Sequence, residues 1–388
     1  MPGYELIGEE EKSNLLKIFS ESNGVLFAHG FDGLRNGKFK VREFEKEFSK
    51  KLGCNYSQAI TSGTVAQLVA MLAMGIKRGD EVITQSHTFV ATVESILAIG
   101  AKPVIVDIDD TYNMDINDLE NAINEKTKLI VPVHMLGNPC KMDEIMNISK
   151  KYNIPVLEDA CEALGGSYKN KVLGTIGDAG IFSLDFAKTI TTGEGGMIIT
   201  NNKEIYQYSK EYHDHGHQSN PNFPRGRDTR VIPGMNYRIT EMQGAVGLAQ
   251  LDKLDYIVNK NRFNKNILKK NISSSKIKFR NITDEKGDLA DTLIFNFEKK
   301  SDASKFVKKY NSNGYFTKNI PDALDWHFSG TWNQMFNDVI DYKNCWSTQW
   351  KKSADLLYRS IAIPILVKSD ETYLMKQVDT INSILKEI

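Results

Sequence analysis

Six short apolar runs, set apart by stretches with helical spacing, restrict the fold of this 388-residue chain more than any other feature. They are Glu81-Val-Ile-Thr, Pro103-Val-Ile-Val-Asp, Leu129-Ile-Val-Pro-Val, Pro155-Val-Leu-Glu-Asp, Ala179-Gly-Ile-Phe-Ser-Leu and Gly196-Met-Ile-Ile-Thr. Each is too short and too uniformly apolar for a strand with one wet face, so the runs predict the buried strands of a parallel sheet. Helix candidates at Val65 to Gly75, Val90 to Gly100, Ile116 to Asn124 and Met142 to Tyr152 supply the crossovers that such a sheet requires. From Met242 through Leu254 to Leu268 the pattern becomes a long connecting helix, which divides the chain at residues 1–254 and 255–388. The second part reads as a smaller α/β unit, with strands at Thr292-Leu-Ile-Phe-Asn-Phe and Ser360-Ile-Ala-Ile-Pro-Ile and a helix at Ser301 to Asn311. Residues 312–350 show no readable period.

The charge balance narrows the partners. Lys and Arg number 49, as do Asp and Glu, so bulk charge favours neither nucleic acid nor an anionic membrane. The acidic start Met1-Pro-Gly-Tyr-Glu-Leu and the absence of a long uncharged apolar run predict a cytoplasmic protein without a membrane span. Cys54, Cys140, Cys161 and Cys345 lie too far apart for a CxxC metal pair and read as reduced packing residues.

One lysine stands where chemistry is plausible. Lys188 follows the run that ends at Leu184 and precedes the turn Gly193-Glu-Gly-Gly. It is either a solvated lysine or a buried amine kept for Schiff-base chemistry with a carbonyl or with pyridoxal phosphate. The cofactor would also need a carboxylate beside its pyridine nitrogen, a phosphate cradle and a flat side chain against its ring. Asp159, at the carboxyl end of a strand, is placed for the first role or else caps the next segment. Ser62-Gly63-Thr64-Val65 opens a helix with N–H groups and a hydroxyl suited to phosphate, or is a plain N-cap. Ser183 adds a hydroxyl, and Phe89 is a ring cover or a core residue.

The ordered series S-G-T (62–64), T-F-V-A-T (88–92), L-E-D-A-C-E-A-L-G (157–165), G-T-I-G-D-A-G-I-F-S (174–183), K-T-I-T-T-G-E-G-G (188–196) and G-M-N-Y-R-I-T-E-M-Q-G-A-V-G (234–247) resembles the DegT/DnrJ family of pyridoxal-phosphate sugar aminotransferases. The resemblance runs over nearly the whole chain. It implies the aspartate-aminotransferase type I fold, with Lys188 as the Schiff-base lysine, Asp159 at the pyridine nitrogen and Phe89 on the ring. Gly63, Thr64, the Val65 backbone and Ser183 match the phosphate cradle. Asn236 matches a residue that reaches the phosphate of a neighbouring subunit, which implies a homodimer with shared sites.

Two positions depart from the family pattern: Glu162 stands where Gln or His is usual, and Gln67 where Leu is usual. The implied reaction moves an amino group from an amino acid, expected to be glutamate, through pyridoxamine phosphate to a keto sugar destined for a surface polysaccharide. Related dehydratases carry histidine at the lysine position, so Lys188 favours amino transfer. A binding protein that had lost turnover would be expected to lack Lys188 or Asp159.

For the acceptor, the segment from His29 to Glu45 with Asp214-His215-Gly-His217 and Trp326-His327 resembles the branch that acts on free, carboxylate-bearing keto sugars. Arg35, His215, His217, Trp326 and His327 are the candidate acceptor contacts, with Arg35, Lys38, Lys40 and Arg42 suited to an anion or else a solvated basic face. A small phosphorylated ketose and a nucleotide-linked 4-keto-6-deoxy sugar are the alternatives. No metal site is expected, since His-Gly-His lacks a third ligand.

Overall fold

A computed structural model describes residues 3–220, 222–336 and 349–388. All six apolar runs are strands. With them, β1 (Tyr56–Ile60), β2 (Glu81–Gln85), β3 (Lys102–Val106), β4 (Thr127–Ile130), β5 (Leu157–Asp159), the small hairpin β6 (Ser167–Tyr168) and β7 (Lys171–Val172), β8 (Ala179–Ser183) and β9 (Gly196–Thr200) complete the larger unit. One set of strands runs β1-β9-β8-β5 and another β3-β2-β4. Single parallel bridges, Ile130 to Val156 and Val133 to Asp159, join the two into one surface.

The pairings of β2 with β3 and β4, and of β5 with β8, are parallel as expected, but β9 is antiparallel to both neighbours. The reason lies between β8 and β9. A parallel return needs a crossover of a dozen or more residues, usually helical, whereas residues 184–195 form a non-helical loop closed by Leu184 N–H to Gly195 O at 2.8 Å. That loop carries Lys188. Strand β1 was not legible, because Tyr-Ser-Gln-Ala-Ile alternates too weakly to compete with the apolar runs.

The helices Gly63–Ala73, Ala91–Ile99, Ile116–Ala122 and Met142–Tyr152 fall where their periodicity put them. The long connecting helix is two, Glu241–Asp252 and Leu254–Asn271, broken at Lys253. In the second, Leu254, Ile257 and Val258 join the large core while Leu268 packs on the smaller unit. We propose this helix as the joint between the two units. Strands β10 (Ile277–Phe279), β11 (Thr292–Phe297) and β12 (Ser360–Pro364) form an antiparallel sheet in the order β10-β11-β12, backed by the helices Lys300–Ser312 and Glu371–Glu387. Within the unassigned stretch 312–350, short helices form at Leu324–His327 and Asn333–Phe336. Cys54, Cys140 and Cys161 carry free thiols; Cys345 lies outside the described residues. No helix among the described residues is long and apolar enough to cross a membrane.

The amino-terminal segment holds the largest departure from expectation. Arg35 is 0% exposed and does not line the cavity described below. Its guanidinium pairs with Glu241 at 2.7 Å and donates to the carbonyls of Lys38 and Phe27, each at 2.7 Å. The helix Lys40–Leu52 begins at Phe39, which supplies no side-chain cap, so the Lys40 and Val41 N–H groups donate to the Glu241 carboxylate instead, at 2.5 and 3.2 Å. Arg35 therefore balances the charge of a buried cap.

Candidate active site

Loops at the carboxyl ends of β2, β5 and β8 surround a cavity of about 350 Å³ lined by Ser62, Gly63, Thr64, Phe89, Asp159, Glu162, Ser183, Lys188, Asn319 and His327, among others. Strand ends of an open α/β sheet are where such clefts form. Asp159 is carried in by β5, its backbone held between Pro132 O and the His134 N–H. Successive strand residues face opposite ways, so the neighbouring Glu158 turns to the other side. There it meets His134 at 3.0 Å and accepts from the Gly174, Ile176 and Gly177 N–H groups. Asp159 accepts from Thr92 Oγ1 and the Cys161 N–H, both at 3.1 Å. Burial pushes its carboxyl above the ordinary value, against these donors and Lys188. A cation brought into the cavity would favour the ionised form.

Lys188 sits on the β8–β9 loop, which hydroxyls pin in place. Thr191 Oγ1 donates to Leu184 O at 3.2 Å, Thr192 Oγ1 to Glu194 O at 2.6 Å, and the Gly3 N–H to Lys188 O at 3.0 Å. Gly196 is required because a Cβ there would stand 2.3 Å from Ser62 O. The amine lies 3.6 Å from Glu162 Oε1. Burial acts to lower the lysine, but Glu162, Cys161, Asp185 and Asp159 outweigh it and hold the ammonium above its ordinary value. Burial likewise acts to raise Glu162, yet Lys188, Lys318, His327 and the Leu136 N–H bring it down to about 2.

The residues fit pyridoxal phosphate. A buried lysine and a buried carboxylate line one cavity of suitable size, and the helix Gly63–Ala73 presents its amino end there beside Ser183. A Cβ on Gly63 would lie 2.8 Å from the Ser183 Cβ and 3.0 Å from Cys161 Sγ, so the cradle has no room for a side chain there. Gly63→Ala is accordingly expected to weaken retention of the cofactor by roughly tenfold or more while the fold persists, measured by equilibrium dialysis. Retention at the unaltered level would remove Gly63 from the cradle. The Val65 N–H, expected in the cradle, donates to Ser62 Oγ at 3.1 Å, and Val65 does not line the cavity.

Phe89, 41% exposed, stands at the rim and stacks on Trp326 with ring centroids 6.3 Å apart and planes at 18°. Trp326 and His327, on the short helix Leu324–His327, are held by Val90 N–H to Trp326 O at 2.9 Å and Thr88 N–H to His327 O at 3.1 Å. His215, His217 and Asn236 do not line the cavity. They gather around Asp214, which bridges to Asn236 and pairs with Arg225, Arg238 and His29. His217 faces Asp228 at 3.3 Å. Among the described residues no group of three or more His, Cys, Asp or Glu is disposed to hold a metal ion. Sequence reasoning missed Asn319, whose amide approaches Glu162 at 3.4 Å from a left-handed backbone with φ 61°. It lies in the stretch without a period, where no signal was available. Thr92 stood inside a quoted motif but had been given no role.

A lysine amine and a strand-end carboxylate, both buried at the carboxyl edge of a mostly parallel sheet, are the arrangement that a pyridoxal-phosphate enzyme of the aspartate aminotransferase-like fold requires. Comparison with known proteins narrows the class. Residues 28–381 match the model of the DegT/DnrJ/EryC1/StrS aminotransferase family, and the chain belongs to that family. It is similar to the GDP-perosamine synthase of Escherichia coli O157:H7, with 40% identity over 60% of this chain and 63% of that protein. It is also similar to the GDP-perosamine synthase of Caulobacter vibrioides, with 43% identity over 56% of this chain and 58% of the relative. The chain thus matches about three fifths of the length of these curated relatives. The X-ray structure of the aminotransferase from Psychrobacter cryohalolentis superimposes with a TM-score of 0.86 at 25% identity, over 98% of each chain.

Proposed function

We propose that this protein is a pyridoxal-phosphate aminotransferase that moves an amino group from glutamate to the carbonyl of a nucleotide-linked keto sugar. The observation that carries the reading is the Lys188 amine, buried in the same cavity as Asp159. When bound, pyridoxal phosphate supplies the electron sink that lets the donor's α-carbon lose a proton. Lys188 Nζ is the base that takes that proton and, as the acid, returns it on the cofactor side. Asp159 keeps the ring nitrogen protonated, with Thr92 and the Cys161 N–H holding its carboxylate in place. Thr64 and Ser183 with the Gly63 backbone grip the phosphate, and Phe89 covers the ring. Lysine rather than histidine at residue 188 supports amino transfer over dehydration.

For the acceptor, two points turn the reading away from a free acidic sugar. Arg35, the leading candidate for a carboxylate contact, is consumed by Glu241, and the two curated relatives are named for a GDP-linked amino sugar. A homodimer in which Asn236 serves the neighbouring site is part of the same reading, supported by its exposure on this chain away from its own cavity.

The test is a visible spectrum of the purified protein with pyridoxal phosphate, before and after glutamate, followed by nucleotide-linked keto sugars, free acidic keto sugars and small phosphorylated ketoses. Bleaching by glutamate that is reversed only by a nucleotide-linked ketone is the expected result. Reversal by a free acidic sugar would restore the other acceptor class, and no lysine-dependent colour would end the aminotransferase reading.

A further inference from the structure

Glu162 is the group at this site that the family pattern does not explain, and its surroundings say what it does. Three nitrogens converge on one of its oxygens: the neutral Asn319 amide donates to it at 3.4 Å, and two titratable nitrogens lie just beyond. Lys188 Nζ lies 3.6 Å from Glu162 Oε1 and His327 Nε2 lies 4.0 Å from the same atom. The other oxygen accepts from the Leu136 N–H at 3.2 Å, so the backbone anchors the carboxylate.

The tautomer of His327 is set by its opposite side. Nδ1 lies 2.8 Å from Ala323 O, and a carbonyl only accepts, so Nδ1 carries the hydrogen and a neutral ring turns a bare lone pair from Nε2 toward the carboxylate. That arrangement is poor while His327 is neutral and favourable once Nε2 is protonated.

The other groups around the histidine are Lys318, whose ammonium is committed to Asp291 at 2.7 Å and Thr292 at 3.0 Å; Asn319, bonded to Glu162; His87, bonded through Nδ1 to Tyr112 O at 3.1 Å; and the uncharged ring of Phe89, 5.3 Å away. Burial holds His327 below its ordinary value; Glu162 opposes this, and Lys188 and Lys318 reinforce it.

We propose that Glu162 Oε1 shares one positive charge between Lys188 and His327: the lysine carries it while its amine is a free ammonium, and His327 takes a proton at Nε2 when the lysine charge is gone. The proton comes from solvent, the new N–H bond uses the Nε2 lone pair, and no other bond changes. His327 is thereby a positioning and proton-holding residue whose state reports that of Lys188. On the proposed aminotransferase reading, this puts an acid at the cavity in the stage where the acceptor's carbonyl oxygen must leave as water. The pairing also accounts for the carboxylate: a neutral Gln at residue 162 could hold neither charge.

The experiment needs no cofactor, so its outcome is separable from that of the aminotransferase reading. The apoprotein, labelled with ¹⁵N in its histidine rings, is titrated by NMR, with the His327 signal identified by its loss in His327→Gln. In the unaltered protein His327 is expected to stay neutral to a pH below the ordinary histidine range. Lys188→Met, with Lys188→Gln in reserve should Met disturb the packing, is expected to raise the midpoint by about one unit or more, the effect of removing a like charge beside an anion. Adding Glu162→Gln to Lys188→Met is expected to bring the midpoint back down. A midpoint unmoved by loss of the lysine, or one that rises equally without Glu162, overturns the proposal.

Discussion

Replacing Lys188 with alanine is expected to lower amino transfer by at least about a thousandfold, toward the upper part of the range seen when a positioned acid–base group is lost. The size follows from the two duties that fall on one atom. On the proposed function Nζ is the anchor for the cofactor's carbonyl and the carrier of the proton between the donor's α-carbon and the ring, and no second amine lines the cavity among the described residues. Lys318, the other lysine that acts on Glu162, is bound to Asp291 and Thr292. The measurement is the rate at which glutamate yields its keto acid in a single turnover, with circular dichroism to verify the fold. The variant should fold, because Glu162 keeps the Leu136 N–H and the Asn319 amide when the lysine is removed. Activity within about tenfold of the unaltered protein would mean that another group moves the proton. The histidine titration and this rate measurement also inform each other: should Lys188→Ala raise the His327 midpoint without costing turnover, the charge pair would be real and the catalytic assignment mistaken.

The parts of the fold that were legible from sequence are those whose pattern is local. A buried strand has to be apolar on both faces and a crossover helix has to be amphipathic, so β2 to β5 and the helices between them are written in composition and spacing. The antiparallel direction of β9 was not, because it depends on how residues 184–195 close on themselves through Leu184, Thr191 and Thr192. Those hydrogen bonds are made within a loop and leave no periodic trace. The site shows the same division. Lys188, Asp159, Glu162, Ser183 and the Gly63–Thr64 turn were found because each sits in a short motif at a strand or helix end, and the structure brings all of them to one cavity. Asn319 comes from a segment with no period, and it meets Glu162 only through a contact between residues far apart in the sequence. His215 and His217 were grouped with the site by motif alone, and in this chain they lie beside the Asp214 ion cluster, outside the cavity. The motif from Gly234 to Gly247 proved largely architectural: a Cβ on Gly244 would lie 2.7 Å from the Val41 nitrogen, and one on Gly247 2.7 Å from the Phe44 ring. These glycines let the helix Glu241–Asp252 approach the helix Lys40–Leu52 closely enough for Glu241 to cap it.

Arg35 is held in a buried ion pair with Glu241, and its replacement by methionine is expected to cost about 3–5 kcal/mol of stability, the usual effect of breaking such a pair from one side. The pair is fully shielded, with both side chains 0% exposed. Loss of the guanidinium leaves the Glu241 carboxylate with only the Lys40 and Val41 N–H groups, and also unstacks Phe39, whose ring centre lies 3.9 Å from Arg35 Cζ and 3.8 Å from Arg42 Cζ. A denaturant titration gives the cost directly, and the double variant Arg35→Met with Glu241→Gln separates its sources. Removing both charges abolishes the buried unpaired carboxylate, so the double variant should be less destabilised than Arg35→Met alone, whereas a cost confined to lost packing would leave it equally unstable or worse. The same protein decides the functional question. If Arg35 only balances a helix cap, the KM for the sugar acceptor, measured at a temperature where the variant is fully folded, stays within about twofold of the unaltered value. A variant of normal stability with a raised acceptor KM would return Arg35 to the substrate and revive the free acidic sugar as the acceptor.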